Sequence, residues 1–123
     1  MSWVKLNLVD DQTWFEPGAS LKGEVAWSFD SEPDRLELRL FWYTEGRGTQ
    51  DVAIVELKAL EEPGMNGSRN FTFRLPEAPY SFSGKLISLK WALEAIAEPE
   101  NLVERVELLM GPRPVEVSPG DGF

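Results

Sequence analysis

The sequence contains neither cysteine nor histidine. The first absence excludes disulfides, thiol nucleophiles, thiolate zinc sites and iron–sulfur clusters. The second removes the usual general base and the commonest transition-metal ligand. Catalysis would have to rest on carboxylates, lysine, tyrosine or serine, and no complete site built from them stands in the chain. Ser81-Phe82-Ser83-Gly84-Lys85 lacks the upstream glycine of a phosphate loop. A Gly-x-Ser-x-Gly elbow is missing. The acidic pairs Asp10-Asp11 and Glu61-Glu62 lack the glycine and closing glutamate of a calcium loop. No metal or cofactor is therefore expected, and the chain reads as a non-enzyme.

Long apolar runs are also missing. No stretch has the length needed to span a bilayer. The start, Met1 to Leu8, shows no charged leader followed by an apolar segment, so no signal peptide is expected. The expectation is a cytoplasmic protein without membrane insertion. Positive charge is scarce: 12 Lys and Arg stand against 21 Asp and Glu, a formal net charge of −9. The excess is even, with eleven acids and six bases in residues 1–60 and ten and six in residues 61–123. Capture of nucleic acid or anionic lipid by such a surface is unfavourable, because like charges meet.

What is present is β-patterning. The 123 residues, 42% hydrophobic and 27% charged, suit one globular domain. At this size folding removes roughly 65% of the unfolded surface from water, enough without covalent staples. Residues 1–117 are expected to form that domain, and the small-residue segment 118–123 a short flexible tail. Val4, Leu6 and Leu8 alternate with Trp3, Lys5 and Asn7. After a turn at Pro17-Gly18, Leu21, Val25, Trp27 and Phe29 share one face, with Lys22, Glu24 and Ser28 on the other. Phe71, Phe73 and Leu75 alternate with Asn70, Thr72 and Arg74 before Pro76. Lys85 to Ala97 puts Ile87, Leu89, Trp91, Leu93 and Ala95 on one face and Ser88, Lys90 and Glu94 on the other. That alternation favours a strand over a helix. A run from Val103 to Met110 ends at Gly111-Pro112, and Pro114 to Val117 suggests a short edge.

The segments 34–44 and 50–60 read as a hairpin. With Thr44 opposite Asp51, one face pairs Trp42 with Ala53, Leu40 with Val55, Leu38 with Leu57 and Leu36 with Ala59. The other pairs Glu37 with Lys58, Arg39 with Glu56, Phe41 with Ile54 and Tyr43 with Val52. A slip of one residue would turn the core face outward. Short strands separated by turns about every ten residues predict an all-β, immunoglobulin-like two-sheet antiparallel sandwich of about seven or eight strands.

Trp27, Trp42 and Trp91 are in phase with apolar faces and read as core, whereas Trp3 lies on a polar phase and Trp14 in a loop beside Phe15. Phe41, Tyr43, Val52 and Ile54 share a face that should be polar. Three explanations stand open: another segment covers them, they bind a partner or a second copy, or they stack sugar rings.

Three segments resemble the arrestin-like superfamily, in particular its bacterial sporulation-control-protein-like members. They are Phe15-Glu-Pro-Gly-Ala-Ser-Leu-Lys-Gly-Glu-Val25, the aromatic strand and Thr-Glu-Gly turn within Leu38 to Asp51, and Phe71-Thr-Phe-Arg-Leu-Pro76 followed by Pro79-Tyr-Ser-Phe-Ser-Gly-Lys-Leu-Ile-Ser88 and Trp91-Ala-Leu-Glu-Ala95. The resemblance covers most of residues 15–97. It implies an arrestin-like sandwich and an adaptor or scaffold that binds other proteins. Family members often carry two sandwich halves, and this length holds one. The expected function is thus non-enzymatic protein interaction, with Phe41, Tyr43, Val52, Ile54 and Trp3 as partner-binding residues and a homodimer as one form of it. The competing expectation is a carbohydrate-binding module stacking sugars on Trp3, Phe41 or Tyr43.

Overall fold

Period-two alternation buries one face of each strand, and two such faces make a core only when two sheets meet. The computed structural model describes residues 1–46 and 50–112, and shows that arrangement. Nine strands run in chain order: β1 (Trp3–Leu8), β2 (Trp14–Phe15), β3 (Ser20–Ser28), β4 (Arg35–Gly46), β5 (Val52–Ala59), β6 (Asn66–Arg74), β7 (Phe82–Ser83), β8 (Ile87–Glu98) and β9 (Leu102–Met110). A single 3₁₀ turn, Val9–Asp11, is the only helical element among the described residues. The seven longer strands expected are present, and the two additional ones are two residues long. The segments 114–117 and 118–123, and with them the expected domain boundary, lie outside the described residues.

The sheets are unequal. The smaller has the order β1-β3-β6, all antiparallel. The larger has the order β2-β9-β8-β4-β5, with β7 pairing β8 to one side. Its long neighbours are antiparallel, and β2 joins β9 in parallel. Between the sheets lie Leu21, Val25, Trp27, Leu36, Leu38, Leu40, Phe73, Trp91 and Leu93, all essentially inaccessible to solvent. The Trp91 indole N–H donates to the Pro79 carbonyl at 2.8 Å, and that of Trp27 to Pro63 at 3.2 Å. The buried donors are thereby satisfied while their rings fill the core. Gly23 sits where β3 is squeezed between β1 and β6. A Cβ there would lie 2.5 Å from the Asn7 carbonyl oxygen and 2.7 Å from the Phe71 ring.

Three expectations need correction. Trp14 and Phe15 are not loop residues but form β2, and Phe15 is buried in the core. Trp42 is only partly buried and packs against the rim of the core. The hairpin register holds from Tyr43–Val52 to Phe41–Ile54 and then shifts at a β-bulge: Leu40 pairs with Glu56, Arg39 with Leu57, Leu38 with Lys58 and Glu37 with Ala59. Val55 is the extra residue, so every side chain beyond it is on the opposite face from the one expected. The reason lies in the strand's position: β5 is the edge strand of the larger sheet, and its inward phase is only partly covered by the smaller one. Glu56 and Lys58 occupy that phase half-exposed, 3.7 Å apart, and the Lys58 ammonium lies 5.0 Å above the Phe73 ring of β6.

Candidate functional site

The outer face of the larger sheet can be laid out from the ladder. Across β9, β8, β4 and β5 one row reads Arg105, Glu94, Arg39, Leu57 and the next Glu107, Ala92, Phe41, Ile54. Lys90, Tyr43 and Val52 form a third. Opposite charges alternate along the first row. Arg105 meets Glu94 at 2.9 Å, and Arg39 meets Glu37 at 2.6 Å. The Glu37 side chain is almost wholly buried, and Arg35 also approaches it at 3.8 Å.

The four residues expected to form an apolar patch are brought together, but not as one exposed surface. Phe41 retains only 6% of its accessible area, so its assignment as an exposed contact residue is corrected. The Arg105 guanidinium lies 5.2 Å from its ring and 5.5 Å from that of Tyr43, and the two rings pack at 5.8 Å. Phe41 is the floor of the face, capped by a cation that Glu94 holds in place. Tyr43 is half-buried, and its hydroxyl donates to Glu107 at 2.7 Å. Burial and that hydrogen bond raise the Tyr43 pKa above its ordinary value. The ammonium of Lys90, 2.8 Å from Glu45, is likewise held in its charged form.

Within this hairpin the apolar exposure falls instead on β5, while Tyr80, Phe82, Leu86, Ile87 and Leu109 are exposed around β7. Val52 is 66% exposed, Ile54 53%, Val55 40% and Leu57 46%. Val55 and Leu57 escaped sequence reasoning because they were in phase with the core until the bulge reversed them. The only trace in the sequence is the run Val52-Ala-Ile-Val55, where four apolar residues interrupt the alternation. Trp3 belongs to a different surface. It is half-exposed on β1, the edge of the smaller sheet, with Lys5 5.5 Å from its ring.

A concavity of about 730 Å³ lies between β7 and β9 and is lined among others by Trp14, Tyr80, Phe82 and Leu109. Among the described residues, no group of three or more carboxylates is placed to hold a metal ion. None of their helices is long and apolar enough to cross a membrane.

The architecture is that of a two-sheet β-sandwich, and solved structures share it. The chain superposes on the crystal structure of Spo0M, a sporulation control protein from Bacillus subtilis, with a TM-score of 0.65 and 14% identity. That match covers 91% of this chain and 50% of Spo0M, so the chain spans about half the length of that protein. A superoxide reductase (neelaredoxin) from Ignicoccus hospitalis matches with a TM-score of 0.50 and 15% identity, over 87% of this chain and 79% of that one. At such identities the likeness is one of fold. No protein-family model and no curated protein sequence matches the chain.

Proposed function

We propose that this chain is a non-enzymatic protein-interaction module of the arrestin-like kind, working in the cytoplasm. The observation that carries the reading is the apolar strip Val52, Ile54, Val55 and Leu57 on the edge strand of the larger sheet, exposed beside a surface otherwise ordered by ion pairs. An exposed apolar strip with a polar surround marks a contact surface, and an edge strand adds unpaired backbone groups to it. The sandwich likeness to Spo0M and the three sequence segments support the arrestin-like assignment. The lack of histidine and cysteine supports the non-enzymatic one. Against the sugar-stacking alternative, Phe41 lies beneath Arg105, and Trp3 and Tyr43 belong to different sheets.

The test is comparative capture from a lysate of the native cell with wild type and a Val52→Asp, Ile54→Lys double variant. Both side chains project into solvent, so the variant should fold with unchanged circular dichroism. The proposal expects a protein captured by wild type to be lost at least tenfold with the variant. Equal capture by both proteins would count against this surface.

A further inference from the structure

We propose that β5 pairs antiparallel with β5 of a second copy of this chain, about a two-fold axis through Leu57, joining the two larger sheets into one. The inference rests on the interaction-module reading and names the partner of that same edge.

Backbone direction comes first. The Thr44 N–H donates to the Asp51 carbonyl at 2.9 Å, and the Leu60 N–H donates to the Leu36 carbonyl at 2.8 Å. In an antiparallel ladder the direction of the backbone groups alternates. Counting back from Leu60, Lys58 and Glu56 therefore turn their amides toward β4. Leu57 and Ala59 turn theirs toward the free edge, where no strand lies among the described residues. A second strand centred on Leu57 hydrogen-bonds to Leu57 alone, because Ala59 then falls opposite Val55, whose amide the bulge turns toward β4, and the pairing is confined to Glu56, Leu57 and Lys58.

Face and charge then select the register. Residues directly opposite each other point to the same side of a sheet, so an inward residue must oppose an inward one. A two-fold axis between residues would set Glu56 against Leu57 and mix the faces. An axis at Glu56 or at Lys58 would oppose two like charges. An axis at Ala59 would put Glu56 against Glu62 and Leu57 against Glu61. The axis at Leu57 sets Leu57 against itself on the outer face, and each Glu56 against Lys58 of the other copy on the inner one. The Glu56–Lys58 pairs fall at non-hydrogen-bonded positions, where Cα atoms are about 4.5 Å apart and side chains closest. Symmetry makes two such pairs.

The same residues explain how the edge avoids indiscriminate pairing. A bulge and inward-pointing charges are the usual protections of an edge strand. Here the charges repel an apolar strand but complement their own sequence read backwards.

The experiment is light scattering and sedimentation velocity on the full chain over a wide concentration range. Wild type is expected to dimerise. Glu56→Lys and Lys58→Glu, each alone, oppose like charges at both pairs and should weaken the dimer roughly tenfold to a hundredfold. Mixing these two variants, or combining both substitutions in one chain, restores opposite charges and should restore association. Leu57→Asp, at an exposed position, sets two carboxylates on the axis and should give a folded monomer. A monomeric wild type, single variants that dimerise undiminished, or a mixture that stays monomeric would each overturn the proposal. None of these variants alters Val52 or Ile54. Loss of a captured protein with the Val52→Asp, Ile54→Lys variant would therefore uphold the interaction reading even if self-pairing failed.

Discussion

The indole of Trp91 shows how much one residue contributes to this fold. It is fully buried between the sheets and spends its only polar hydrogen on the carbonyl of Pro79. Trp91→Ala removes the ring and orphans that carbonyl, and should cost about 3–5 kcal/mol, read from the midpoint of urea unfolding. Tyr43 makes a subtler prediction. Its pKa is raised above the ordinary value near 10, so above pH 10 the unfolded chain releases a proton that the folded chain retains. Stability attributable to Tyr43 is complete below that pH and is lost as pH rises through the folded value. Tyr43→Phe should flatten the alkaline fall in stability. In an absorbance titration, the ionisation step of Tyr43 should vanish with that substitution. The tryptophan phases of Trp27 and Trp91 were legible in the sequence. The cover over Phe41 was not, because Arg105 lies in β9, far along the chain, and nothing local joins them.

Among the elements, β5 carries the most information. Its bulge keeps Phe41 beside Ile54 while turning Leu57 outward beside Arg39. Deleting Val55 removes the extra residue and leaves every pair of the ladder intact. The deletion should cost less than about 1 kcal/mol and preserve amide protection along β4. A cost of several kcal/mol in urea unfolding would show that the hairpin needs the bulge itself. The sequence reading erred here for a physical reason. Matching Glu37 with Lys58 and Arg39 with Glu56 is a sound guide to cross-strand pairing, but Glu37 is paired with Arg39 of its own strand. Arg39 therefore has no need of Glu56.

For the molecule as a whole, the larger sheet ends in β5, and on that edge strand exposed apolar residues and the Glu56–Lys58 pair lie together. The charge-exchange experiment at Glu56 and Lys58 examines whether that edge associates with a second copy. The all-β class, the phases of β1, β3, β6, β8 and β9, and the absence of histidine and cysteine chemistry could be read from the chain, because alternation and composition are local and need no neighbour to express them. The bulge at Val55, the burial of Phe41 and the separation of Trp3 from Tyr43 depended on tertiary structure. Each follows from which strands lie side by side and how far one sheet reaches over the other, and no single strand contains that relation.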